Sequence, residues 1–216
     1  DREAEAKAEA NLAIVYDLEG RTEESETANK NCLAYFVEAG DLANAVRTSN
    51  NLGVLNMSRE RFDLAAEYFE KTISSSRALR NREALSTALV NAGYCYARVG
   101  VSDLCLRYTD EAASILKEQN NLNMIALAYR NYGYLEFRNG NHNNAFEWFE
   151  RSVRAAKTSG VKDTLAACCY EFGMALIRSS IDLTLARKLM KKAAAVYAEI
   201  GNIERARTVD ARLAAL

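Results

Sequence analysis

The sequence predicts an all-α chain: an α-α superhelix, a solenoid of five helical hairpins followed by a C-terminal capping or truncated helix. Three observations carry this. Proline is absent, only ten glycines occur in 216 residues and 49% of the side chains are hydrophobic, a composition of helices with enough apolar surface for a continuous core. The chain repeats itself every 40 residues, and periods of about 20 to 50 residues mark stacked arrays. Each period holds two stretches of helical apolar spacing on either side of a turn signal.

The period is carried by a small-residue site and its neighbours: Asn11-Leu12-Ala13, Asn51-Leu52-Gly53, Asn91-Ala92-Gly93, Asn131-Tyr132-Gly133 and Glu171-Phe172-Gly173. A turn follows at Gly20, Glu60, Gly100, Gly140 and Ser180. In the second helix a small residue recurs at Ser25, Ala65, Cys105, Ala145 and, after one inserted residue, Ala186, where two helices must approach closely. An aromatic follows at Phe69 and Phe149. The hairpins close at Gly40-Asp41, Arg80-Asn81, Asn120-Asn121, Gly160 and Gly201-Asn202, and Gly or Asn there suits the left-handed conformation that ends a helix.

These signals place helix pairs at 4–19 and 22–38, 42–59 and 62–79, 82–98 and 102–118, 122–139 and 142–159, and 162–179 and 182–199, all within one repeat domain spanning 1–216. The repeats run 1–41, 42–81, 82–121, 122–161 and 162–202. The final helix, 203–216, puts Leu213-Ala214 at the small-residue site of a sixth unit. A large side chain at Gly93 or Gly133 should destabilise the fold, and Cys32 and Cys105, at small-residue places on second helices, should be buried and unreactive.

Other classes are disfavoured. No apolar run reaches the roughly 20 residues that span a bilayer, and no signal segment opens the chain, so a protein without a membrane partner is expected. The start at Asp1 reads as an excised domain. Five cysteines lie in helical stretches without the spacing of a disulfide framework, which favours a reducing, cytoplasmic setting. Net charge is −1 and the pI about 6.0, which gives no global drive towards nucleic acid. The single histidine, His142, sits in the turn Asn139-Gly140-Asn141-His142-Asn143-Asn144 and reads as a solvated helix start. Cys168-Cys169 cannot form a metal pair, because adjacent helical residues diverge by about 100°. Glu23-Glu24 and Asp110-Glu111 read as solvated charge. No catalytic residue, metal or cofactor is expected.

Leu-Gly or a near equivalent on the first helix, a small residue on the second and an aromatic four residues later resemble the tetratricopeptide repeat (TPR) pattern along the whole chain. The signature Trp and closing Pro of that family are missing, and its usual period is shorter. The 40-residue period resembles the longer-helix subgroup of Pins-type spindle-orientation scaffolds and, less closely, kinesin light chains, which implies a cytoskeletal association. The resemblance also implies that first helices line a concave face.

A stripe offset from the small-residue edge can then be traced along the first helices. It runs Lys7, Ala10, Ile14, Asp17 and Leu18; Arg47, Asn50, Val54, Met57 and Ser58; Thr87, Val90, Tyr94, Ala97 and Arg98; Leu127, Arg130, Tyr134, Phe137 and Arg138; Ala167, Tyr170, Met174, Ile177 and Arg178. Six cations against Asp17 and the neighbouring Glu171 leave this face at +4, although the whole chain is −1, which favours an acidic ligand. The candidate peptide-binding residues are Arg47, Asn50, Asn51, Asn91, Tyr94, Arg98, Arg130, Asn131, Tyr134, Arg138, Tyr170 and Arg178. Arg98, Arg138 and Arg178 have a second reading, since cations in a last turn also oppose the helix macrodipole. Asn11, Asn51, Asn91 and Asn131 form a ladder that pairs either with neighbouring repeats or with a ligand backbone, and Glu171 departs from it. The tyrosines read as anchors or as inter-repeat core.

The leading function is a scaffold or adaptor that holds an extended acidic and apolar segment of another protein. Structural self-association through the solenoid ends is the alternative, and single-stranded RNA binding the lesser one.

Overall fold

The structure is a computed structural model that describes residues 2–215. The described residues form eleven helices and no strand: α1 (Arg2–Leu18), α2 (Thr22–Glu38), α3 (Leu42–Ser58), α4 (Phe62–Ala78), α5 (Arg82–Val99), α6 (Ser102–Glu118), α7 (Leu122–Arg138), α8 (His142–Ser159), α9 (Lys162–Ser179), α10 (Leu183–Glu199) and α11 (Ile203–Ala214). They are the five predicted hairpins and the final helix, with ends within two residues of expectation. Residue 216, the last of the predicted α11, lies outside the described residues. The chain divides into two compact units, Asp1–Ala112 and Ala113–Leu216.

Turn chemistry sets the element lengths. The turn residues between paired helices and the first residue of each closing turn adopt positive φ, with Glu60, Arg80, Asn120 and Ser180 at 52 to 58°. Only glycine holds that conformation without a steric penalty. At four of the five closings a residue next to the left-handed one then caps the following helix, and at the fifth Val161 makes no side-chain cap bond. Asp41 accepts a hydrogen bond from the Asn44 amide at 3.1 Å, Asn81 from Ala84 at 3.0 Å, Asn121 from Met124 at 3.1 Å and Asn202 from Arg205 at 3.2 Å. Each cap satisfies one of the amide donors that a helix start leaves open.

In the first unit the small residues bring paired helices together. Ser25 donates to the Ala13 carbonyl at 2.8 Å, and a Cβ placed on Gly53 would sit 2.6 Å from the Phe69 ring. The hairpins are then joined by polar contacts. Buried Glu26 accepts from Lys30 at 2.7 Å and pairs with Arg59 and Arg61 at the next turn, and Lys30, with those two arginines, holds its carboxyl below the ordinary value. Glu70 of α4 accepts from Tyr96 of α5 at 2.7 Å and from Tyr108 of α6 at 3.0 Å.

The second unit repeats the scheme. Phe149 covers Gly133, where an added Cβ would lie 2.9 Å from the ring, and it stacks on Phe172 of the next hairpin at 5.7 Å. Ser152 donates to the Ala126 carbonyl at 2.8 Å. All five cysteines are free and buried, and burial pushes the Cys32, Cys105 and Cys169 thiols up to about 11. Such thiols carry little thiolate at neutral pH.

Two substitutions should act in opposite directions in urea unfolding. Gly133→Leu forces a side chain into the Phe149 ring and should cost about 3 kcal/mol or more. Arg80→Gly removes the left-handed penalty and should add about 1 kcal/mol of stability.

Candidate interaction surface

In the first unit α3 and α5 lie side by side, and a cleft of about 310 Å³ opens between them. It is lined by Ala43, Val46, Arg47 and Asn50 of α3, by Thr72 of α4, and by Asn81, Glu83, Ala84 and Thr87 at the start of α5. Arg47 is exposed at its edge and Asn50 is half-buried. The Asn50 side-chain oxygen is out of contact with solvent and has no hydrogen-bond partner. Leaving such an acceptor unpaired costs about 1 to 3 kcal/mol, so the cleft favours a ligand that brings an N–H. Thr87 lay on the predicted stripe. The sequence reading names Asn81 only as a hairpin closing and Glu83 not at all; the cap that Asn81 places at the start of α5 is the one signal that points to this corner.

The other candidates of this unit divide. Asn51 and Asn91 are half-buried and border the same helices. Tyr94 is buried and Arg98 nearly so, because both are engaged with the preceding hairpin. Arg98 donates to the Tyr94 hydroxyl at 2.6 Å, lies 4.3 Å above the Phe62 ring and approaches Glu60 at 3.8 Å. Tyr94 meets Phe62 edge-on at 5.9 Å. This cation–π cluster joins α4 to α5, which is an internal role for two side chains expected to face a ligand.

In the second unit α7 packs on α9 more extensively than α3 does on α5. The same register is accordingly deeper: Arg130, Asn131 and Tyr134 are buried, with Asn131 wholly inaccessible. Arg130 reaches the Asn131 side-chain oxygen at 3.5 Å. The Tyr134 hydroxyl donates to Glu171, which gives the departure from the asparagine ladder a purpose, since a carboxylate accepts where an amide stood. Arg138 and Arg178 are exposed and Tyr170 is half-buried, so these three candidates remain at the surface.

His142 is half-buried rather than solvated. Its ring stacks on Phe137 at 4.8 Å with a 9° interplanar angle, and Phe146 lies 6.3 Å away. Asn141 precedes α8 without a side-chain cap bond; its amide donates to Glu136 at 2.8 Å. Among the described residues no cluster of His, Cys, Asp or Glu could hold a metal ion, and no helix is long and apolar enough to cross a membrane.

Comparison with known proteins places the fold. No family model matches the chain. A 105-residue stretch, 49% of the chain, is 30% identical to Tonsoku-like protein from Danio rerio, and covers only 7% of that protein. Among solved structures, apo RapI superposes with a TM-score of 0.71 at 18% identity, covering 97% of this chain and 81% of that one. A Rap protein complexed with competence and sporulation factor gives 0.67 at 18% identity, covering 99% of this chain and 64% of that one. The fold is the tetratricopeptide-like helical solenoid.

Tyr134→Phe should destabilise the protein by about 1 to 2 kcal/mol in urea unfolding, because the half-buried Glu171 carboxylate loses the tyrosine hydroxyl as a donor.

Proposed function

We propose that the chain is a protein-interaction scaffold that binds an extended segment of another protein along its first helices, with no chemistry of its own. The observation that carries this is the Asn50 oxygen, buried in the α3–α5 cleft and unpaired. A peptide backbone amide is the natural partner for it, and an amide side chain can also donate back to the backbone carbonyl. The Rap protein of like fold is solved with competence and sporulation factor bound, which supports a binding role for this architecture.

The preference for acidic side chains rests on Arg47 in the first unit and on Arg138 and Arg178 in the second. All three are exposed. Glu83 offsets part of the Arg47 field in the cleft, so in the first unit the backbone contact dominates, and in the second the charge does. Half-buried Asn51 and Asn91 complete the contact set of the first unit, and half-buried Tyr170 that of the second. Arg98, Arg130, Asn131, Tyr94 and Tyr134 act from beneath by fixing the helices that carry it. The setting is cytoplasmic, in keeping with five free buried thiols.

A displayed random-peptide library selected against the chain tests this reading. The selected peptides should be rich in Asp and Glu with interspersed apolar residues. Asn50→Ala should speed their dissociation, and an Arg47→Glu/Arg138→Glu/Arg178→Glu variant should slow their association and flatten its salt dependence. Selected peptides that bind both variants as tightly as the parent would overturn it.

A further inference from the structure

The second helices of the repeat share a set of outward positions, and α10 fills them unlike the others. After the one inserted residue, Lys188, Lys191 and Lys192 of α10 occupy the places of Glu67, Glu70 and Lys71 in α4 and of Glu147, Glu150 and Arg151 in α8. All nine side chains are exposed. A further hairpin follows both α4 and α8, so this exposure belongs to the register and not to the place of α10 in the chain. Where a carboxylate stands at these positions, the chain's own side chains engage it. Glu70 accepts from Tyr96 at 2.7 Å and from Tyr108 at 3.0 Å, and Glu147 pairs with Arg151 one turn on at 4.0 Å. The neighbouring one-turn step carries Glu26 and Lys30 in α2, paired at 2.7 Å, and in α10 it carries Arg187 and Lys191.

In α10 both one-turn steps therefore join like charges, Arg187 to Lys191 and Lys188 to Lys192. Like charges four residues apart weaken a helix, whereas the opposite pairs of α2 and α8 strengthen theirs. Among the described residues no hydrogen bond or ion pair engages Lys188, Lys191 or Lys192. Glu199, the single carboxylate of α10, is taken by Lys162 at 2.6 Å. The surrounding unit, residues 113–216, holds fifteen cations and ten carboxylates, a net of +5. A helix that gathers unanswered like charge on one exposed face departs from the local pairing that the other second helices keep, and such departures mark functional surfaces.

We infer that the lysine face of α10 is a second interaction surface, and that its occupant is a short acidic helix of another protein. Lys188, Lys191 and Lys192 lie three and four residues apart and share one side of the helix, so carboxylates at the same spacing on a partner helix can face them together. Further along this side Ala195 and Ala198 are exposed, and their methyl groups keep the surface low enough for a second helix to approach closely. This side of α10 carries no large apolar side chain to enter a bilayer and no ring on which a base could stack. With a net charge of −1, the chain offers a long nucleic-acid polyanion no overall attraction. The surface shares no residue with the first-helix contacts and does not depend on the function proposed for them.

The test uses an alanine-based helical peptide with glutamates three and four residues apart on one face. Carbodiimide joins a peptide carboxylate to a lysine amine that it touches, with loss of water, and does not join arginine, so it separates this face from Arg47, Arg138 and Arg178. At low salt, mass spectrometry should find the peptide on Lys188, Lys191 and Lys192 and not on the chain's other six lysines. Lys188→Glu rebuilds with Lys192 the opposite-charge step that α8 makes with Glu147 and Arg151. It should raise the melting temperature by about 1 to 3 °C and cut coupling at Lys191 and Lys192 about tenfold. Coupling spread over the other lysines, undiminished coupling or a lower melting temperature in Lys188→Glu, or tighter binding of oligothymidylate or phosphatidylserine vesicles than of the peptide through this face would each overturn the inference.

Discussion

The close approach of the two helices within each hairpin is the constraint on which the rest of the molecule depends. At Gly53 and Gly133 there is no room for even one more carbon, because the rings of Phe69 and Phe149 already fill it. Where the first helix carries Ala13, the partner helix meets it with Ser25, whose hydroxyl bonds the Ala13 carbonyl directly. Fixing that separation fixes where the second helix can begin, so each connection is two or three residues long and holds a single left-handed residue. The Phe149 ring that fills the space over Gly133 also stacks on Phe172 of the next hairpin. Packing inside a hairpin and packing between hairpins are therefore one event.

This dependence explains why the architecture could be read without coordinates and the surface only in part. Caps and turns are local: Asp41, Asn81, Asn121 and Asn202 bond amides three residues ahead, and the left-handed residues need no distant partner. Depth along the first helices is not local. Ile14, Val54, Tyr94 and Tyr134 share one register, yet the first two are exposed and the two tyrosines are buried. What buries Tyr94 is Phe62, 32 residues earlier, and Tyr134 is held by Glu171, 37 residues later. Periodicity names a face of a helix. The size of the neighbour across the gap decides whether that face meets water.

The arginines follow the same rule. Arg98 and Arg138 repeat at one interval, but Arg98 is drawn onto the Phe62 ring and Arg138 is left exposed, since His142 stands in the place of Phe62 and stacks on Phe137 instead. A charge count over the stripe treats these two alike, although only Arg138 is exposed. Asn50 shows the converse. Its register holds Val90 in α5 and Arg130 in α7, both buried, and it is the looser contact of α3 with α5 that leaves a cleft there and an unsatisfied oxygen within it.

The last helix departs from the register of the other first helices. With Leu213-Ala214 at the small-residue site, Arg207 and Asp210 of α11 fall where α9 buries Ala166 and Cys169 against its own partner helix. Both are exposed, while Ala206 and Val209 hold α11 onto α10. Charges at those two positions would be buried without partners if another helix packed there as α10 packs on α9, a cost of several kcal/mol. The outer face of α11 is thus suited to water or to an acidic surface.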